Sequence, residues 1–413
     1  RWDALGSAGN PPIITPNLHR LASEGVGFSR HFFQNPVCMP SRVSFLTGQY
    51  PSRLGITHMA VPVPEDTVTA ATLLGRSGYR CGNLGKLHFL PHANRDHREM
   101  HPSYGFDHLS ISDEPGCYPD AYHAWVSRVA PDQVDQISVG LPPDRAMFNE
   151  TLGLEDPVVQ PEAGGRFDFK GARAARCSDE VTHSAFVAEQ TIEFLRENRD
   201  RAFYCVAGFY SPHAPWVAPQ SCLDQYNPED LSLPEFPDEI DRSRPQDGGA
   251  DDLFSDTQLR SARHGYYAMV TEVDNQVGRI LDCLEELGLT EDTIVVFTSD
   301  HGEWLGDHLR FGKGPPGDDA VARVPLIFRY PAGIKEPGRI EKGLVEAVDV
   351  LPTILDLARI PVPDHLQGES LADGLTASAA VGKEAALMEG AGWKNLRTDR
   401  YRYQIRADGG ESL

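Results

Sequence analysis

The sequence predicts an α/β fold: a mostly parallel sheet with helices on both faces, plus a small, incomplete antiparallel unit at the C-terminal end. Apolar strand-like runs alternate with stretches of helical periodicity, the pattern of strands joined by crossover helices. Two runs, 202–209 and 293–298, are continuously apolar, as strands buried on both faces are. Charged residues follow directly on several predicted strands, and in such sheets the site lies beyond the carboxyl ends of the strands. A chain of 413 residues suffices for a large core. The main α/β unit is assigned to 1–380, and the start of the small C-terminal unit to 381–413.

The elements follow in order. Thr15 as N-cap, Pro16 at the first helical position and Gly25 past the end predict a short helix. The β-prone run 28–34 leads into Pro40, which opens a helix over Ser41–Thr47. A helix over Thr67–Ser77 ends at Gly78, and Tyr79–Leu84 is a short strand running into Gly85-Lys86-Leu87-His88. Residues 91–180 are rich in Pro, Gly, His and Asp and read as a long loop elaboration that shapes substrate access. Of His88, His92, His97, His101, His108 and His123, all but His88 read as solvated or structural, because their spacing is irregular.

Ser184–Asn198 is an amphipathic helix and 202–209 a buried parallel strand that empties into Ser211-Pro212-His213. The acidic, Pro-rich stretch 219–256 is a second surface excursion, and Leu259–Leu287 a long helix closed by Gly288. The strand 293–298 delivers Ser299-Asp300-His301-Gly302. Val324–Arg329 is a further strand, 344–357 mixes helix and loop, and 387–406 forms strands and turns.

A hydrophobic fraction of 40% is ordinary for a globular protein, while a net charge of −22 opposes non-specific binding to nucleic acid or an anionic membrane. An anionic substrate must therefore be drawn in by a local cationic pocket. No apolar run approaches the roughly 18 residues of a membrane span. Seven cysteines without CxxC pairs indicate neither a zinc cage nor a disulfide scaffold.

The chain is organised around Asn35-Pro36-Val37-Cys38-Met39-Pro40-Ser41-Arg42. Cys38 sits at a predicted helix N-terminus, where free N–H groups favour an anion and lower a thiol's pKa. Arg42 follows by about one turn, so its guanidinium can return to the same point and hold a tetrahedral oxyanion in a bidentate fork. Spacing alone also admits, and for an arbitrary Cys followed by Arg favours, a buried cysteine capped by a solvated arginine. Asp300 and His301 read either as a metal-binding pair or as the N-cap of a helix beginning near Glu303.

Cys-Met-Pro-Ser-Arg followed by Leu46-Thr47-Gly48 resembles the signature of the type I, formylglycine-dependent sulfatases of the alkaline-phosphatase-like superfamily. Gly-Lys-Leu-His at 85–88, Ser-Pro-His-Ala-Pro at 211–215, Ser-Asp-His-Gly at 299–302 and Gly-Lys-Gly at 312–314 resemble further blocks of that family in the expected order, over roughly residues 1–330. The resemblance implies a metal-dependent sulfuric ester hydrolase, arylsulfatase-like, acting on a small anionic ester. It also implies a formylglycine-generating enzyme as maturation partner, oxidising Cys38 to an aldehyde whose hydrate attacks sulfur. Arg42, Lys86, Lys313 and the metal would neutralise the sulfate oxygens. His213 with Lys313 would protonate the departing alcohol, and His88 would hold or deprotonate the hydrate.

Asp300 and His301 would bind one divalent ion, Ca²⁺ in the first instance, with Mn²⁺ open because calcium prefers oxygen ligands. In this family a first strand ending in two adjacent metal-binding aspartates precedes a segment like Arg1-Trp2-Asp3, which sets the expectation that the sequence begins just after them. A phosphonate or phosphate ester hydrolase of the same superfamily, and a non-catalytic receptor for sulfated ligands, are the alternatives. Compartment and the alcohol portion of the ester are not encoded legibly.

Overall fold

The computed structural model describes residues 1–6, 13–59, 61–92, 97, 99–141, 171–242 and 254–413. Its strands are β1 (Val26–Phe32), β2 (Arg80–Gly85), β3 (His108–Ile111), β4 (Arg173–Ala174), β5 (Phe203–Gly208), β6 (Val217–Ala218), β7 (Val295–Thr298), β8 (Arg323–Arg329), β9 (Arg339–Glu341), β10 (Val345–Glu346) and β11 to β14 (Ala386–Gly390, Trp393–Arg397, Arg402–Arg406, Glu411–Ser412). The helices that matter here are α1 (Pro16–Ser23), α2 (Cys38–Thr47), α3 (Ala70–Arg76), α4 (Ala121–Val129), α5 (His183–Asn198), α6 (Asp256–Glu286) and α7 (Val350–Leu357).

Two sheets carry the site. One has the order β10-β1-β8-β7 with β9 also on β1, and the other the order β3-β2-β5. The second is parallel throughout, and β1 is parallel to β9 and β10, but β8 runs antiparallel to both β1 and β7. Period-two alternation assigns the faces. In β8, Leu326 and Phe328 pack with Val26, Phe28 and Val350, while Ile327 turns to the opposite face against Leu18, Leu21, Val273 and Val277. In β5, Tyr204 and Val206 join the cluster of Val43, Leu74 and Leu355, whereas Phe203 and Cys205 meet Leu195 and Leu284. Helices therefore cover both faces. The four C-terminal strands form a separate antiparallel sheet in the order β11-β12-β13-β14.

Several expectations need correction. The runs 202–209 and 293–298 are strands, but β5 and β7 are only partly buried, because among the described residues each is hydrogen-bonded along one edge alone. Their other edges flank one cavity of about 600 Å³ that runs between Phe203, Cys205, Val295 and Phe297 to Asp300 and His301. Thr15 makes no side-chain cap on α1; its hydroxyl accepts from the Gly6 N–H instead. The helix expected over 67–77 spans only Ala70–Arg76, because Thr69 caps it in a reciprocal box with Thr72. Within 91–180, the described residues include β3 and α4 as well as loops; 142–170, and 243–253 of the second excursion, lie outside the described residues. No helix starts at Glu303, which removes the N-cap reading of Asp300 and His301. No helix among the described residues is long and apolar enough to cross a membrane.

Candidate active site

β1 and α2 bring the nucleophile position into place. The strap 33–37 joins them, Val37 is the extended N-cap residue and α2 begins at Cys38, with Gly48 closing it in the left-handed conformation. Cys38 is buried, and its Sγ lies 2.8 Å from Lys313 Nζ, 3.1 Å from His301 Nε2 and 3.8 Å from Lys86 Nζ. Burial pushes the thiol's pKa up, but Lys313, Lys86 and His301 outweigh it and hold the group well below its usual range.

Lys86 emerges from the end of β2 where two glycines face each other, Gly85 paired with Gly208 of β5. Gly85 has φ +92°, and a Cβ on Gly208 would stand 2.2 Å from the Lys86 carbonyl oxygen, so neither position admits a larger residue without moving Lys86. Its ammonium lies 5.2 Å from the centre of the Tyr210 ring, a cation–π contact.

Arg42 returns one turn later, as its spacing predicts, but not with a free fork. Nε donates to Asp300 Oδ2 at 2.7 Å and Nη1 to the Lys86 carbonyl at 2.8 Å. Two of its donor positions are spent on positioning, leaving Nη2 as the group not yet engaged. Burial pushes Asp300 up, and His301 and Arg42 more than reverse it, keeping the carboxylate ionised far below its ordinary range. The Ser41 hydroxyl also donates to the Asp300 carbonyl, tying α2 to the end of β7.

His301 Nδ1 donates to the Gly302 carbonyl at 2.7 Å, which fixes the ring's orientation and turns Nε2 toward Cys38. Donor atoms of Cys38, Asp300 and His301 lie within 4.8 Å of one another, a spacing a single cation can bridge. The cavity between β5 and β7 opens onto the same point, leaving room there for further oxygen ligands. The residues present fit a divalent ion.

His213 is set by a parallel device. The Ala214 carbonyl accepts from His213 Nδ1 at 2.6 Å and from the Tyr210 hydroxyl at 2.5 Å, so Nε2 is the acceptor that meets Lys313 Nζ at 2.5 Å. Burial and Lys313 lower His213 to about 3, which keeps the imidazole neutral. His88 is likewise buried and lowered to about 4, first by burial and then by His92, against an opposing side-chain hydrogen bond with Cys38.

Of the eight residues singled out from the sequence, Lys86, His88, His213, Asp300, His301 and Lys313 thus gather around the sulfur of Cys38, and Arg42 joins them through Asp300 and the Lys86 carbonyl. Sequence reasoning missed Tyr210, Asp113 and Glu303. Glu303 is a buried carboxyl raised to about 7 by burial, accepting from the Leu305 and Gly312 N–H groups beside the Lys313 turn. His92 and His97 are stacked inward and not solvated, with His92 on His88 at 4.6 Å between ring centres.

Residues 1–360 match the family model described as Sulfatase. An arylsulfatase of Clostridium perfringens (strain 13 / Type A) is 30% identical over 390 residues, covering 90% of this chain and 76% of the relative. An ulvan-active sulfatase of Formosa agariphila is 28% identical over 430 residues, 99% of this chain and 71% of the relative. Among solved structures, a phosphonate monoester hydrolase of Agrobacterium radiobacter superposes with a TM-score of 0.80 at 24% identity, covering 100% of this chain and 86% of the other, a likeness of fold. The chain belongs to the sulfatase family, and its activity is sulfate ester hydrolysis.

Proposed function

We propose that Cys38 is the precursor of a formylglycine and that the groups around its sulfur carry out the hydrolysis. The convergence of Lys313, His301 and Lys86 on one buried sulfur carries this reading, because the contacts made by Sγ mark where the oxygens of a hydrated aldehyde would stand. The hydrated aldehyde would supply one hydroxyl to attack sulfur and a second to release it. A divalent ion held by Asp300 and His301, calcium or manganese, would supply Lewis-acid polarisation of the sulfate oxygens.

The protein's own residues do the remainder. Lys86, Lys313 and the Nη2 of Arg42 meet the anionic ester and the charge that builds on its leaving oxygen. Arg42 also locks Asp300 in its ionised state through the Nε bond. With His213 neutral and its Nε2 an acceptor, the proton for the leaving alcohol resides on Lys313, and His213 orients that ammonium. His88 meets Cys38 through its ring in a side-chain hydrogen bond, the placement a proton acceptor for the nucleophile needs.

The substrate is a small organic sulfate monoester, and the maturation partner a formylglycine-generating enzyme. The test is peptide mass spectrometry of the 31–42 segment after co-expression with such an enzyme. An aldehyde or its hydrate at Cys38 is expected. An unmodified thiol, in a host that matures a control sulfatase, overturns the proposal. Paired rates on a sulfate and a phosphonate monoester then decide the preferred ester, with faster sulfate turnover expected.

A further inference from the structure

His88 is one of few non-glycine residues here in the left-handed region, with φ +54°. Such a conformation persists only where the surroundings over-determine it. Here the determinant is one oxygen: Asp113 Oδ1 accepts from the N–H of Leu87 and from the N–H of His88, both at 2.9 Å. Asp113 is 2% exposed and His88 3%, so these bonds are sheltered from water.

The topology explains how a residue 25 positions away arrives there. β3 lies parallel to β2 with Ile111 opposite Gly85, and the Ser112 N–H donates to the Gly85 carbonyl. The residues leaving β3 are therefore carried alongside those leaving β2. The next residue, Glu114, brings Oε1 to 3.3 Å from His92 Nε2. His92 in turn stacks on the His88 ring at 4.6 Å with planes 28° apart, and Tyr118 backs His92 at 5.5 Å. One acidic dipeptide thus fixes both the backbone and the ring of the same histidine.

We propose that Asp113 and Glu114 are positioning residues for His88: Asp113 holds its backbone turned toward Cys38, and Glu114 anchors the His92 ring that sets the imidazole plane. This rests on the reading of His88 as the group that serves the nucleophile, and the test separates the two. In matured enzyme acting on 4-nitrophenyl sulfate, kcat and KM are measured for His88→Ala, Asp113→Ala and the double variant, with Asp113→Asn as the conservative control.

His88→Ala is expected to lower kcat by about 10²-fold or more, the scale of a positioned acid–base group. Asp113→Ala should lower kcat by about tenfold or more with KM nearly unchanged, and should add almost nothing in the His88→Ala background. Asp113→Asn keeps an oxygen for both N–H groups and should restore most of kcat. Equal losses from Asp113→Ala in both backgrounds would overturn the proposal and leave the His88 reading standing. An undiminished kcat in His88→Ala would remove that reading and the proposal with it. If Asp113→Ala does not fold, His92→Phe, which keeps a stacked ring and loses the Glu114 pair, takes its place in the same cycle with the same expected non-additivity.

Discussion

Replacing Arg42 by Ala removes two things at once, and their sizes can be worked from the structure. The Nε bond to Asp300 is a 2.7 Å ion pair whose side chains are 16% and 17% exposed, between the exposed and the fully buried case. Exposed pairs contribute about 0–1 kcal/mol, while breaking a buried one costs about 3–5 kcal/mol, so about 2–3 kcal/mol of stability should be lost. On the proposed function the remaining guanidinium donor meets the ester, and loss of one oriented charge-stabilising donor costs about 10²–10³ in kcat. Because Asp300 is also left without the cation that orients it, we expect kcat/KM for 4-nitrophenyl sulfate to fall by about 10³ or more, equivalent to about 4 kcal/mol. Arg42→Lys restores a charge but cannot span both Asp300 and the Lys86 carbonyl, so it should remain at least about tenfold below wild type. Steady-state kinetics and a guanidinium chloride titration measure the two effects separately. Turnover by Arg42→Ala within about tenfold of wild type would refute the assignment.

Burial raises Glu272 to about 7 from an ordinary 4.5, although Thr182, Ser184 and Ser211 oppose the shift, so the folded protein holds this proton more tightly than the unfolded chain. The contribution of Glu272 to stability should therefore be greatest below about pH 4.5 and fall as pH rises towards 7, by about 3 kcal/mol in all; Glu272→Gln should exceed wild type by about that amount near pH 8 and by under about 1 kcal/mol near pH 5, and an equal gap at both pH values in urea titrations would contradict this. Gly208→Ala forces a Cβ to within 2.2 Å of the Lys86 carbonyl oxygen. It should cost about 1–3 kcal/mol and lower kcat with it, whereas a stable, fully active variant would show that Lys86 is not held there. Adding a divalent ion to chelator-treated protein should raise the melting temperature in wild type but not in Asp300→Asn, with about 2.7 kcal/mol expected at a hundredfold excess over Kd; an identical rise in both proteins would take Asp300 out of the site.

Much of the site was legible because its residues stand where local rules have consequences. Cys38 and Arg42 are one turn apart on a helix that begins at Cys38, two residues before the Pro40 that announces it, and Lys86 and Asp300 follow within two residues of the ends of strands β2 and β7. What escaped depends on partners distant in sequence. Asp113 follows a four-residue strand, His108–Ile111, set in Pro- and Gly-rich surroundings, and its meaning exists only once β3 lies beside β2. The donor positions of Arg42 could not be counted before Asp300 was beside it. Apolar runs at 202–209 and 293–298 announced strands correctly, but apolar content does not encode whether both edges are paired, and here one edge of each faces a cavity.

The distribution of charge within the site argues for its substrate more strongly than the overall charge does. The chain carries a net −22, yet at physiological ionic strength fields are screened over about 8 Å, so the pocket is governed by what lies within it. There, Arg42 and Asp300 neutralise each other, while neither Lys86 nor Lys313 has a carboxylate partner among the described residues. Elsewhere the protein compensates its buried cations: Lys383 is clasped by both Glu346 and Asp349. The lowered Cys38 thiol offsets the two ammonium groups; once Cys38 is converted to the proposed aldehyde that offset is gone, and holding both cations without an acidic partner is unfavourable until an anion enters. On the proposed function the sulfate group brings that missing charge, with Lys86 at the end of β2 and Lys313 in the loop after β7 placed to meet its oxygens. A site left cationic in an acidic protein is thereby selective for anionic esters without any attraction from the rest of the surface.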